Sequence, residues 1–430
     1  MLISPAPLAA TANALRSDQL DLLTYLDEMC NRIDAAEPLI HALLPEPGRR
    51  QRLLSEAEAL QKRFPDPASR PPLYGILLGV KDIFHVDGFP TRAGSQLPAE
   101  LFAGPEAACV TLLRNAGALI LGKTISAEFA WIEPGPTRNP RNLDHTPGGS
   151  SSGSAAAVAA GFCPLALGTQ TIGSTIRPAA FCGITGFKPT YGRIPTAGLI
   201  ACAPSLDTVG IFTQEAAGLA LVAPLLCEHW HNSPSDKLPV LGVPAGAYLN
   251  QATPEALAAF ETQLLRLKQA GYTVRHVPAF NDIETINHHH RLINFAEMAQ
   301  VHAEWFASYE TLYRPLTAKA IRDGQKVGAG ELQTARAGRA VLRAELEALM
   351  AQHRIDLWVS PAAPGPAPEG ITTTGNSIMN LPWTYTGMPA ITLPAGRAAN
   401  GLPLGLQITG AALADEELVS SAQQLAESVG

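Results

Sequence analysis

Leu73-Tyr74-Gly75-Ile76-Leu77-Leu78-Gly79-Val80 is an apolar run of strand length that ends on Lys81-Asp82. A helix is predicted after it over Ala107–Asn115, and Ala118-Leu119-Ile120-Leu121-Gly122 then reads as a second buried strand. Strands alternating with helices indicate an α/β architecture. Toward the N-terminus, Phe64-Pro65-Asp66-Pro67 and Pro71-Pro72 mark a boundary. Before that boundary, about Ser17 to Phe64 reads as two helices, with Leu20, Leu22, Leu23, Leu26, Met29 and Ile33 near helical spacing in the first. Toward the C-terminus, about 214–350 is Ala-rich and helical in pattern. Strand-like runs return at Leu357-Trp358-Val359 and Ala390-Ile391-Thr392-Leu393, and a last helix starts near Asp415. The organisation expected is a helical arm over 1–70 and one sheet-centred unit over 71–430, with a helical insertion at about 214–350.

Composition narrows the partners. A net charge of −7 without any basic stripe argues against nucleic acid, because binding phosphates requires concentrated Lys and Arg. No apolar run approaches membrane-spanning length, and Met1–Ala12 lacks the regions of a secretory signal. The six cysteines include no C-x-x-C pair, a pattern of free thiols in a reducing compartment, so a cytoplasmic location is expected.

Two segments carry chemistry. In Thr146-Pro147-Gly148-Gly149-Ser150-Ser151-Ser152-Gly153, dense Gly and Ser leave a backbone able to expose its N–H groups. The small-residue run Ser154–Gly161 after it is a good helix former, so this loop is expected to enter a helix N-terminus. The second segment, Gly168-Thr169-Gln170-Thr171-Ile172-Gly173-Ser174, follows the predicted strand Leu165-Ala166-Leu167. A serine on a tight loop behind a buried strand is well placed as a nucleophile. The N–H groups of Thr171, Ile172, Gly173 and Ser174 are candidates for an oxyanion site, where one donor is worth on the order of 10²–10³ in rate. Among the histidines only His85 and His145 fall near these loops. Lys81 is the better base, because burial behind an apolar strand disfavours its charged form.

These pieces resemble the amidase signature family. The matching stretches are GVKD around Lys81, PGGSSSGSAAAVAAG over Pro147–Gly161, and LGTQTIGSTIRPAAFCGITGFKPTYGRIP over Leu167–Pro195. PSLDTVG over Pro204–Gly210, and TYTGMPAITLPAG with GLPLGLQITG between Thr384 and Gly410, extend the match. The resemblance implies an α/β amidase-signature fold, with a large central mixed β-sheet flanked by helices on both faces, and a Ser–cis-Ser–Lys triad: Ser174 as nucleophile, Ser150 as the bridging serine in a cis peptide, Lys81 as base. It implies hydrolysis of a carboxamide, with carbamates or esters as further substrates, through a seryl acyl-enzyme. No metal and no cofactor are expected. Substrate and partners are expected to be a small-molecule amide or carbamate and water, with no nucleic acid and no membrane; a homodimer stays open. The alternative is the glutaminase subunit of a tRNA-dependent amidotransferase.

This chain departs from the family pattern at Ile172, usually Gly or Ala, and at Gln214, usually Arg. Arg177 is read two ways, as a clamp for a substrate carboxylate or as a structural ion-pair partner. Ser126 and Trp131 are candidate pocket residues, and Asp207 is expected to hold a loop. The His288–His290 tract reads as solvated surface, since adjacent residues on a helix face different directions. Gly149-Ser150-Ser151-Ser152-Gly153 also satisfies G-x-S-x-G, which would make Ser151 a nucleophile. That reading needs a strand directly before it, and Asn142–Pro147 is turn-like.

Overall fold

The computed structural model describes residues 2–231 and 237–429. Its centre is a sheet of ten strands: β1 (Leu77–Lys81), β2 (Leu119–Thr124), β3 (Leu165–Gln170), β4 (Thr185–Lys188), β5 (Thr208–Thr213), β6 (Leu241–Ala245), β7 (Val274–Pro278), β8 (Leu357–Pro361), β9 (Ala390–Arg397) and β10 (Pro403–Thr409). Their order is β2-β1-β3-β5-β4-β9-β10-β8-β6-β7. The first three strands run parallel, as do β8, β6 and β7 at the other end, and the middle pairings are antiparallel. The sheet is therefore mixed, and helices cover both of its faces.

β1, β2 and β3 are buried at every position. Strands covered on both faces read as continuous apolar runs, which is why they are visible in the sequence. Edge strand β7 is only partly buried and carries Arg275 and His276. The stretch 214–350, expected to be a helical insertion, holds both β6 and β7 as well as helices. Each has five residues and contains a proline, and β7 is half solvated, so neither shows the apolar run that marks β1. The helices Leu22–Ile40 and Arg49–Arg63 bury Leu26, Ile33, Ile40 and Leu53 in the same core cluster as β1 and β3.

The Ala-rich helix Ser152–Ala160 is buried at all nine positions. Small side chains let it lie against the sheet without filling the space its backbone needs. A Cβ on Gly153 would collide with the Ala42 carbonyl and the Ile125 backbone. Gln214, at the position that departs from the family pattern, ties the N-terminal segment to this helix. Its Nε2 donates to the Ser4 and Val158 carbonyls at 2.8 Å, and its Oε1 accepts from the Ala6 N–H at 2.6 Å. Among the described residues no helix is long and apolar enough to cross a membrane.

Candidate active site

Lys81 is the last residue of β1, and its side chain is fully buried. Nζ lies 2.8 Å from Ser150 Oγ and 2.8 Å from Thr169 Oγ1. Among the described residues no carboxylate pairs with it; the neighbouring Asp82 faces Lys123 instead, at 2.8 Å. Burial pushes the Lys81 ammonium down to about 7, while the more distant Cys202 and Asp207 pull weakly the other way. Lys81 can therefore be neutral near physiological pH.

Ser150 is presented by the loop entering the Ala-rich helix, and the Gly149–Ser150 peptide is cis. Its carbonyl accepts from the Ala127 N–H at 3.0 Å, and its side chain is fully buried. Ser151 next to it is consumed structurally: its Oγ donates to the Thr169 carbonyl and accepts from the Thr169 N–H, both at 3.2 Å. A buried hydroxyl bonded twice to β3 is no nucleophile, and no strand directly precedes it.

Ser174 sits on the turn between β3 and the helix Ile176–Cys182, and its hydroxyl makes no hydrogen bond among the described residues. Gln170 closes this turn by accepting the Thr175 and Ile176 N–H groups at 3.0 Å. None of the loop hydrogen bonds of the described residues is donated by the backbone N–H of Thr171, Ile172, Gly173 or Ser174. The loop is instead fastened through its other groups. Thr171 Oγ1 donates to Asp207 at 2.5 Å, and Asp207 also accepts the Cys202 and Ala203 N–H groups. The Thr171 carbonyl meets His290 Nε2 at 2.8 Å, and the Ile172 carbonyl accepts from Thr384 Oγ1 at 2.6 Å. Gly173 allows close approach, since a Cβ there would strike Asn380. Lys81 and Ser150 thus meet where β1, β3 and the Gly/Ser loop come together, and the 171–174 turn begins two residues beyond Thr169; among the described residues no hydrogen bond joins Ser174 to Ser150 or Lys81.

Arg177 is 3% exposed and has no carboxylate partner among the described residues. It donates to the Gly149 carbonyl at 2.7 Å, the Gly375 carbonyl at 3.0 Å and Thr374 Oγ1 at 3.2 Å. Burial pulls its guanidinium down to about 9, so it stays charged at neutral pH. Backbone carbonyls take the place of the expected ion pair. Ser126 donates to the Ala127 carbonyl at 2.6 Å and lines a cavity of about 530 Å³ with His41, Asp82 and Arg314. Trp131 packs edge-on against Phe295, ring centroids 5.6 Å apart. Among the described residues no hydrogen bond joins Ser126 or Trp131 to Lys81, Ser150 or Ser174.

The His288–His290 tract needs correcting. His288 is exposed, but His290 is fully buried against the candidate oxyanion loop. Sequence reasoning missed it, together with Thr169 and Thr384. Thr169 carried a local signal, because in a strand it lies two residues from Leu167 on the same face. His290 and Thr384 carried none, since their contacts cross more than a hundred residues of chain. Among the described residues no group of three His, Cys, Asp or Glu side chains is arranged to hold a metal.

Residues 24–419 match the Amidase family model, and the chain belongs to that family; it is an amidohydrolase of the amidase-signature fold. It is 31% identical to a glutamyl-tRNA(Gln) amidotransferase subunit of Oleidesulfovibrio alaskensis, across 98% of this chain and 97% of that one. A crystal structure of an amidase superposes with a TM-score of 0.90 at 30% identity, covering 99% and 100% of the two chains. The native peptide amidase of Stenotrophomonas maltophilia superposes at 0.83 with 25% identity, covering 99% and 97%. The first of these overturns one expectation. A lone small-amide enzyme with no nucleic-acid partner does not stand when such extensive relatives are subunits of an enzyme named for a tRNA. Net charge did not point to such relatives because it reports on one chain, and a subunit of an assembly need not itself carry a basic surface.

Proposed function

We propose that this chain hydrolyses linear carboxamides through an acyl-enzyme on Ser174, with Ser150 as proton relay and Lys81 as base. The observation that carries the reading is the 2.8 Å contact between Ser150 Oγ and a fully buried lysine held near pKa 7. Neutral Lys81 takes the Ser150 proton as Ser150 takes that of Ser174, whose oxygen attacks the amide carbon. The carbonyl oxygen becomes an oxyanion facing the N–H groups of residues 171–174. Return of the proton through Ser150 to the leaving nitrogen expels it, and water repeats the cycle on the ester. Carbamates and esters would pass through the same oxyanion. Six buried free cysteines support a reducing, cytoplasmic setting.

A second reading is favoured by the near full-length match to an amidotransferase subunit. In it the same site releases ammonia from glutamine, and partner subunits use that ammonia on a tRNA-linked substrate. Two measurements separate the outcomes. Treatment with a fluorophosphonate followed by peptide mapping should place a single adduct on Ser174; an adduct elsewhere overturns the mechanism. Turnover of a linear-amide panel that is lost in Ser174→Ala supports the acyl-enzyme chemistry, whether or not partner subunits are needed for it. Glutamine turnover that appears only on adding amidotransferase partner subunits establishes the second.

A further inference from the structure

The helix Ile283–Val301 carries a buried polar stripe inside an otherwise ordinary amphipathic pattern. Asn287, His290, Asn294 and Glu297 are all buried, spaced three and four apart so that they share one face. His290 Nε2 lies 2.8 Å from the Thr171 carbonyl oxygen. A carbonyl oxygen only accepts, so Nε2 carries the proton and donates. Burial pulls the ring down to about 3, and Arg339 and Arg291 act the same way against the opposing Thr171 bond, so the ring is neutral. Nδ1 has no partner among the described residues.

The geometry of the peptide unit turns this contact into a directional device. In a trans peptide the carbonyl of one residue and the N–H of the next lie in one plane and point opposite ways. A donor that fixes the Thr171 carbonyl therefore also fixes the Ile172 N–H, aimed away from His290. Thr384 does the same one peptide further along. Its Oγ1 donates to the Ile172 carbonyl at 2.6 Å, which orients the Gly173 N–H.

We propose that His290 is a positioning residue for the oxyanion loop, holding the Thr171–Ile172 peptide so that the Ile172 N–H meets the developing oxyanion. The inference rests on Ser174 being the nucleophile. It also explains how Ile172 is tolerated where the family usually has Gly or Ala: the donor is backbone, and its direction is set from the carbonyl side.

Replacing His290 removes the aim of one donor rather than the donor itself, so the loss should fall below that of deleting an oxyanion donor. His290→Phe keeps the ring bulk without the N–H and should lower kcat and kcat/KM together by about 10- to 100-fold, with KM within about twofold. His290→Gln, whose amide reaches the Nε2 position, should recover most of that loss, and the shorter His290→Asn should not. The rate of Ser174 acylation by the fluorophosphonate should follow the same order. A merely structural histidine would lower the melting temperature and leave kcat of the folded enzyme unchanged, which overturns the proposal. Gln performing no better than Asn also overturns it, and that comparison holds if the Phe variant does not fold. Normal labelling of Ser174 at wild-type rate in every variant sinks the His290 role alone. Absence of Ser174 labelling in the wild type sinks the nucleophile reading with it.

Discussion

Lys81 Nζ and Ser150 Oγ meet at 2.8 Å beside a cis Gly149–Ser150 peptide, and among the described residues the lysine carries no counter-ion. Most buried lysines are paired, because a lone ammonium in a low dielectric is costly. Here the positive neighbour Lys123 absorbs Asp82, and Lys81 is left to two hydroxyls. The arrangement favours the neutral amine, which is the form a base requires.

Ser174→Ala and Lys81→Ala should each abolish amide turnover, with kcat/KM down by about 10⁴-fold or more. Ser174→Ala should keep the wild-type melting temperature, since its hydroxyl holds nothing in place. Wild-type rates in Ser174→Ala on a cleaved amide would end the mechanism.

The pH dependence follows from Lys81. Its folded pKa of about 7 lies below the ordinary 10.5. Activity should therefore rise through about pH 7 to a plateau as the amine loses its proton. Stability runs the same way: between the two values the unfolded chain binds the extra proton, so stability grows with pH and the burial cost is full below the folded value. Lys81→Met should consequently melt higher than wild type, by a margin that widens as pH falls from about 9 to about 6. The comparison with wild type is needed because Lys188 is also buried and pulled down to about 7. A margin independent of pH would show that Lys81 is not held neutral.

Ser151→Ala should retain Ser174 labelling and most activity. It removes two bonds to the Thr169 backbone, so unfolding in urea should show a loss of about 1–2 kcal/mol. An abolished adduct would revive Ser151 as nucleophile.

Arg177→Met should lower both stability and activity, because it leaves the Gly149 and Gly375 carbonyls without their donor. A loss of about 2–4 kcal/mol is expected from buried groups left unsatisfied. If the guanidinium serves the loop, kcat/KM should fall equally for a dicarboxylic half-amide and for the matching uncharged amide. A loss confined to the half-amide would identify a carboxylate clamp instead.

Much of the fold was legible because β1, β2 and β3 are covered on both faces and announce themselves as apolar runs with Gly-rich ends. β6 and β7 were not, since short strands with a proline or a solvated face leave no such run. Lys81 and Ser174 became candidates for a local reason, since each lies at or just after the end of a buried strand; Ser150 was singled out within its Gly/Ser loop only by the family resemblance. The amidotransferase alternative was set second because the middle of the chain is poor in matching motifs, yet the likeness to such a subunit runs over 98% of this chain.

What the sequence by itself determined, then, was the α/β class, Lys81 and Ser174 as candidates, and the Gly/Ser loop within which the family resemblance picks Ser150. These depend on residues near one another in the chain. Tertiary structure alone decided that Ser150 Oγ meets Lys81 Nζ, why Asp82 does not neutralise the lysine, and that His290 and Thr384 fasten the 171–174 loop. Each of those is a contact between distant segments, set by how the helix Ile283–Val301 and the segment around Thr384 pack on the sheet. Hydrogen-bond direction and burial exist only once that packing is made.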